Sequence, residues 1–443
     1  MKKIYKASLP LLLILTQLAN TAYAQYPFWR WIAGPKTTNG TGIYPTAVGV
    51  GDNNAYPGAR IGGTAQFKDN KLYIFGGHNS TSNRFADLWS YDINSQVWTL
   101  LNAASNTYAN TTVPYGVSKT PNTNIRPGGR SGINSVVIGD DIYTFGGQGY
   151  GTDGTSLGSG KLNDFWKYNI TSNTWTLLRG VLTNAGATVI GSKGSVDDGS
   201  FAPRSRSNAC LAAVGTDIYL FGGEGTGVTG DLWKWDTLTS KWLWLTGENG
   251  ATTAVNVGLN DPTNTPSARQ GSAFVAIGTK IYLFGGTTNA NTETNMQNDL
   301  WVYDTATGFW NLITPSNAAP PIRKDVQGWA AGGNLYIFGG VSRADGTTSK
   351  VVNDLWKYDP VANSWTKLKG EAAPAGTYAV EDYTAATVAP AASNTSIPAG
   401  RVGILAASNG NKLYLFGGDR TTAWTQRYSD LWTTDLDETV LLW

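Results

Sequence analysis

Leu72-Tyr73-Ile74-Phe75-Gly76-Gly77, a polar loop, Asp87-Leu88-Trp89-Ser90-Tyr91-Asp92, a turn, then Trp98: this run comes back five times along the chain. Phe-Gly-Gly recurs at Phe145, Phe221, Phe284, Phe338 and Phe416, and each copy is followed by Asp, one apolar residue and Trp, at Trp166, Trp233, Trp301, Trp356 and Trp432. Self-similarity on this scale marks an array or a propeller. The first Trp is followed nine residues later by a second in five copies (Trp98, Trp175, Trp242, Trp310 and Trp365), whereas the loops outside that window vary in length. A fixed window between variable loops is a hairpin held in register. Its tip carries Asp92, Asn169, Asp236, Asp304 or Asp359, short side chains able to bond a turn backbone. The apolar run that ends in two glycines reads as a buried strand stopped where other backbone passes close by.

Each unit opens with an Arg ahead of a small-residue strand, at Arg60, Arg130, Arg206, Arg269, Arg323 and Arg401. A unit is therefore four strands. This pattern resembles the kelch repeat, and the resemblance implies an all-β, six-bladed kelch-type β-propeller with four antiparallel strands per blade. It is also distantly similar to the central domain of galactose oxidase and to the exported bacterial epimerase acting on sialic acid. Kelch propellers include enzymes, adaptors and adhesive modules, so the fold alone assigns no function.

The sixth unit lacks a second Trp, with Leu441 at the corresponding spacing after Trp432. Near the front, Trp29-Arg30-Trp31-Ile32-Ala33-Gly34 matches Trp242-Leu243-Trp244-Leu245-Thr246-Gly247. The expectation is that residues 26–34 complete the last blade beside 398–436 and remove an open edge. The other arrangement uses Thr439 to Trp443 for that strand. The remaining blade cores fall near 58–101, 128–178, 204–246, 269–313 and 323–368, in one domain over 25–443.

Lys2, Lys3 and Lys6 precede an apolar run from Leu9 to Leu18 and then Ala22-Tyr23-Ala24 before Gln25. That is the pattern of a secretory signal over 1–24, too short in its apolar part to span a membrane, and it predicts a secreted or periplasmic protein. Lys and Arg number 33 against 31 Asp and Glu, without a basic cluster, which argues against nucleic acid as a partner. A monomer without cofactor is expected.

Six arginines at the channel mouth could attract an anionic ligand, and arginines at the matching place of animal kelch adaptors contact acidic peptides. The competing reading is structural. Asp87, Asp164, Asp231, Asp299, Asp354 and Asp430 open the third strands on the same end, and the intervening Gly-Gly leaves room for a long Arg to reach across two strand spacings of about 4.8 Å.

Departures from the repeat are the better ligand-binding candidates: Arg204, Glu224, Lys324, Asp325, Arg343 and Arg420, with the aromatics Trp329 and Trp424. Tyr108, Tyr115, Tyr150, Tyr378 and Tyr383 are further loop aromatics able to stack on sugars or anchor a partner. Long linkers after each second Trp and after several Gly-Gly pairs share one face, the expected binding face.

His78 is the single His and Cys210 the single Cys, so a copper site of the galactose oxidase kind, which the resemblance implies needs two His and two Tyr, is not expected. No metal and no catalytic residue is assigned, and a Ser-His-Asp triad finds no support. Calcium at Asp153-Gly154 or Asp197-Asp198-Gly199 lacks a known ligand spacing. Two readings stand. One is an exported, non-catalytic binding module presenting loops to a glycan or protein. The other is a carbohydrate-active isomerase or hydrolase using paired carboxylates among Glu224, Asp325, Glu371, Glu381, Asp382 and Asp419.

Overall fold

The computed structural model describes residues 23–25, 28–102, 125–150, 160–180, 191–197, 202–248, 250–289, 294–343, 346, 348–370, 397–436 and 439–441. Residues 1–22 of the expected signal over 1–24, Tyr108, Tyr115, Tyr378, Tyr383, Glu371, Glu381, Asp382, the Asp153-Gly154 loop, Asp198 and Gly199 lie outside the described residues.

Among the described residues, alternating apolar and small residues bounded by tight turns give six antiparallel sheets whose core is four strands each, beside two smaller ladders. The first joins Thr64–Lys68, Lys71–Phe75, Leu88–Asp92 and Val97–Asn102. Its first turn, Asp69-Asn70, has both residues at positive φ (50° and 58°), the backbone that a two-residue hairpin matched to strand twist requires. At the other hairpin the Asp92 carboxylate accepts the Asn94 and Ser95 amides at 2.9 and 3.0 Å. The third sheet repeats this order with Cys210–Val214, Asp217–Phe221, Leu232–Asp236 and Lys241–Thr246.

In the sixth sheet Leu405–Asn409, Lys412–Phe416 and Leu431–Asp435 are joined by Phe28–Ala33 from the front of the chain. Trp29 lies opposite Thr434 and Trp31 opposite Trp432, the register in which Trp242 and Trp244 face Trp235 and Trp233. Thr439–Leu441 pairs instead with Tyr23–Gln25 in a separate two-stranded ladder.

The sheets meet through one repeated aromatic contact. Each outer-strand Trp packs on the Phe of the preceding sheet's Phe-Gly-Gly strand: Trp175 on Phe75, Trp242 on Phe145, Trp310 on Phe221 and Trp365 on Phe284, with ring centroids 4.9–5.8 Å apart. Trp29 does the same on Phe338 at 5.2 Å, and Trp98 packs on Phe416 of the sixth sheet at 5.5 Å. The innermost strands neighbour one another in chain order, and that of the sixth sheet touches that of the first. This all-β arrangement is consistent with a β-propeller.

Outer edges are covered in several places, which blocks edge-to-edge pairing. Gly51–Asp52 pairs with Val97–Asn102, Val196 bridges Leu243, and Asn317 both donates to the Trp365 carbonyl and accepts its amide. Among the described residues no helix is long and apolar enough to cross a membrane.

Candidate functional site

At the loop-rich end of every sheet the same ionic unit recurs. The Arg that opens each unit reaches over the glycine pair to the Asp that opens the third strand, with Nη1–Oδ1 distances of 2.6 Å (Arg60–Asp87), 2.7 Å (Arg130–Asp164), 2.5 Å (Arg206–Asp231), 2.5 Å (Arg269–Asp299), 2.7 Å (Arg323–Asp354) and 2.8 Å (Arg401–Asp430). Nη2 bonds the second carboxylate oxygen in each pair, making the fork bidentate.

The first Trp of each unit completes it: the indole N–H of Trp89, Trp166, Trp233, Trp301, Trp356 and Trp432 donates to the Asp two residues before it, at 2.6–2.8 Å. Nη1 also donates to the carbonyl of the first glycine, as Arg60 does to Gly76 at 3.1 Å. Burial alone would push the Asp87 carboxyl up, but the Arg60 charge and bonds from Arg60, Tyr44 and Trp89 outweigh it and hold the group below the usual carboxylate range. All six guanidinium side chains are fully withdrawn from solvent, so none of them faces a ligand.

Two residues after each of these arginines the backbone turns left-handed. Gly62, Gly132, Asn208, Gly271, Asp325 and Gly403 have φ of 66°, 65°, 53°, 67°, 54° and 66°. Their amides and carbonyls link neighbouring sheets: Gly62 N–H donates to Gly403, Gly132 to Gly62 and Asn208 to Gly132, at 2.7–2.9 Å. Glycine adopts this backbone freely and other residues do so at a cost, so Asn208 and Asp325 stand out. The Asp325 Oδ1 lies 2.5 Å from where a Cβ on Gly271 would sit.

These residues form a neck between two cavities. Above it, on the loop-rich end, a mouth of about 300 Å³ is lined by residues from all six sheets, among them His78, Gln148, Glu224, Gln270, Lys324 and Trp424. Below it a lumen of about 350 Å³ runs along the innermost strands. Gly62, Gly132, Asn208, Asp325 and Gly403 line both.

Of the eight candidate ligand residues, Glu224, Lys324, Asp325 and Trp424 come together at the mouth. Glu224 is held by Lys161, whose Nζ is 3.1 Å from Oε2 and 2.6 Å from the Ser207 hydroxyl. Arg204, Arg343 and Arg420 are not part of the mouth lining. The Arg204 carbonyl accepts the Arg206 Nε–H, the Arg343 amide donates to Ile322, and Arg420 Nε bonds Gln426.

Trp329 is a correction: it is no loop residue but lies buried in Gln327–Ala331, packed with Tyr336, Phe338 and Trp432 between the fifth and sixth sheets, with one part lining the lumen. Asp419 is likewise no channel acid, because it is buried and accepts from Thr421 and the Gln426 amide, fixing its own loop. Asp197, weighed in the sequence for calcium, is buried with its carboxylate against Arg179.

Gln148, Asn208, Gln270 and Arg427 were not among the sequence candidates, although Gln148 directly follows Gly-Gly and Asn208 and Gln270 stand within two residues of the unit's Arg; His78, which also follows Gly-Gly, was weighed only as a metal ligand. Arg427 ties the sixth sheet's loop to the first sheet, donating to the carbonyls of His78 (3.3 Å) and Trp424 (3.2 Å) with Nη2 3.4 Å from His78 Nε2. Burial, then the charges of Arg427 and Arg84, pull the His78 imidazole down to about 3, so it is neutral at physiological pH. Among the described residues no three His, Cys, Asp or Glu side chains gather to hold a metal.

The KLHDC2/KLHL20/DRC7 Kelch-repeats domain model matches residues 49–187 and 187–381. The chain is 24% identical over 322 residues to the Kelch domain-containing protein 3 of Bos taurus, covering 70% of each chain. It is 28% identical over 177 residues to the N-(sulfonatooxy)prop-2-enimidothioate sulfolyase of Thlaspi arvense, covering 38% of this chain and 46% of that one. With the Leucine-zipper-like transcriptional regulator 1 homolog of Drosophila melanogaster it shares 25% over 297 residues, 64% of this chain and 24% of the other.

Proposed function

This chain belongs to the kelch-repeat family, whose members generally bind proteins, and from that membership we propose that it is an exported, non-catalytic binding module built as a closed six-bladed propeller. The mouth is its binding site, and a protein or glycan its partner. One observation carries this reading: the mouth cavity draws side chains from all six sheets, so recognition there reads the whole ring rather than a single loop. Export rests on the basic, apolar and small-residue order of the first 24 residues.

The mouth offers mixed chemistry, with Lys324 and Asp325 of opposite charge, the amides of Gln148, Asn208 and Gln270, and the Trp424 ring. Such a set suits a polar partner held by several weak, directional bonds around one aromatic anchor. The test is a display screen of peptides and glycans against the chain from Gln25 onward, repeated with Trp424→Ala and Lys324→Ala. Binders lost at least tenfold in both variants support the mouth; binders indifferent to both place the site elsewhere.

The second reading, a carbohydrate-active enzyme, is favoured only by two carboxylates, Glu224 and Asp325, lining one cavity. Turnover of a sugar that disappears in both Glu224→Gln and Asp325→Asn would establish it in place of the first. Within the family, the sulfolyase relative is a protein named for an enzymatic activity.

A further inference from the structure

The loop over 419–427 is braced at almost every residue. The Asp419 carboxylate accepts the Thr421 hydroxyl and the Thr421 and Gln426 amides at 2.8–3.1 Å. Asn39, from the front of the chain, donates to the Thr425 carbonyl at 2.8 Å and accepts the Arg427 amide at 3.0 Å. What this bracing holds is Trp424, whose φ of +58° is costly for a bulky side chain. Its amide donates to the Thr421 carbonyl at 3.3 Å and its own carbonyl accepts from Arg427 at 3.2 Å. Backbone strain persists only where the surroundings over-determine it, and it gathers at ligand clamps. The indole packs against the apolar cluster of Met296, Val341, Val351 and Val402 and lines the mouth, and its N–H bonds nothing among the described residues.

Elsewhere around the mouth stand carboxamides with bonding capacity left over. Gln148 makes no side-chain bond among the described residues. Gln270 is buried and accepts from Asn208 at 2.9 Å through Oε1, while its Nε2 donors bond nothing among the described residues. Charge, by contrast, is already engaged. Glu224 lies 3.1 Å from Lys161, Lys324 and Asp325 have interactions of their own, and the six unit arginines are turned inward to their aspartates.

We propose that the mouth takes one neutral sugar ring, its C–H face on Trp424 and its hydroxyls on the carboxamides of Gln148 and Gln270. This inference rests on the reading of the mouth as the binding site and names its ligand. A carboxamide both donates and accepts, as a hydroxyl does, and an aromatic face held rigidly supplies apolar contact at little entropic cost. An acidic or amino sugar would give up its hydration there without gaining a free counter-charge. A mouth of about 300 Å³ is at the small end of ligand pockets, which suits a terminal ring rather than a long oligosaccharide.

The probes are the methyl glycosides of glucose, galactose and mannose, the uronic acid of each, and glucosamine, titrated into the chain from Gln25 onward by saturation-transfer NMR. At least one neutral glycoside should bind about tenfold or more tighter than its own uronic acid and than glucosamine. Trp424→Ala should weaken that binding about tenfold or more, and Gln148→Ala about threefold to tenfold. Trp424→Phe, which keeps a ring on the apolar cluster, should stay within about threefold of the parent, and melting curves establish that each variant is folded. Absence of binding by every neutral glycoside, a uronic acid or glucosamine bound as tightly, or neutral binding that survives both Trp424→Ala and Gln148→Ala overturns the proposal. Peptides that bind the parent and are lost in Trp424→Ala, with no glycoside bound, would overturn the sugar while leaving the mouth as the binding site; a glycoside indifferent to both variants would remove the mouth as well.

Discussion

The ring of Trp29 packs on that of Phe338 at 5.2 Å, joining a residue from the front of the chain to the fifth sheet. Five other Trp–Phe pairs do the same work between other neighbouring sheets, and in each the Trp comes from the fourth strand of its sheet's four-stranded core. Trp29 therefore substitutes for the second Trp that the sixth repeat lacks. Trp29→Ala should cost about 3–5 kcal/mol in urea unfolding, the range of a large buried aromatic cut to a methyl. Trp310→Ala, in the equivalent place of the fourth sheet, should cost the same within error. A Trp29 variant as stable as the parent would mean that the front strand is only an accessory layer.

Removing one member of an Arg–Asp–Trp unit should hurt far more than removing the charges together. Arg206 and Asp231 are both fully buried. Asp231→Leu leaves a buried guanidinium without its carboxylate and should destabilise by about 3–5 kcal/mol, whereas Arg206→Met combined with Asp231→Leu should lose much less than the sum of the Arg206→Met and Asp231→Leu single changes. Chemical denaturation of the three variants gives the comparison, and additive losses would contradict a paired role.

The sheets were legible because strand pairing writes itself as spacing. Nine residues between tryptophans encode one hairpin, and Trp-x-Trp-x-x-Gly at 29–34 encodes its register even far from its sheet. Side-chain roles were less legible. The bond from each first Trp to its Asp is hidden, since a two-residue separation along a strand gives no sign of an indole reaching back. Trp329 misled because it stands six residues after Arg323, in a column that holds Val136, Ala212, Val275 and Ala407 in other repeats, and only the packing between two sheets shows the room it occupies. The neck was invisible because positive φ has no sequence signal where Asn208 and Asp325 replace glycine.

His78 should make the fold acid-sensitive well above the range where carboxylates protonate. Its folded pKa is pulled down to about 3 by burial and by Arg427 and Arg84, while in the unfolded chain it is near 6.5. Between these values the unfolded state binds a proton that the native state refuses, so stability is full above pH 6.5 and falls as pH drops toward 3. The slope for one proton is at most about 1.4 kcal/mol per pH unit. His78→Gln should flatten the curve between pH 4.5 and 6.5 relative to the parent. Below about pH 4 both proteins should weaken further, because the depressed Asp87 and Asp299 carboxyls contribute stability that is lost as they take up protons. Superimposable pH profiles for parent and variant would show that His78 does not sense the solution.

Gly271→Ala tests the neck directly, because two separate penalties fall on one methyl group. The φ of +67° is unfavourable for any residue with a Cβ, and the new atom would meet the Asp325 carboxylate at 2.5 Å and its amide at 2.9 Å. The first penalty is intrinsic and survives any change at position 325. The carboxylate clash does not, so Asp325→Gly should recover part of the loss and leave the backbone share. A double-mutant cycle in urea reads the difference: a coupling of about 0.5–3 kcal/mol marks residues in contact. Coupling indistinguishable from zero would place the Asp325 side chain away from the fourth sheet, and the neck would then be shaped by backbone alone.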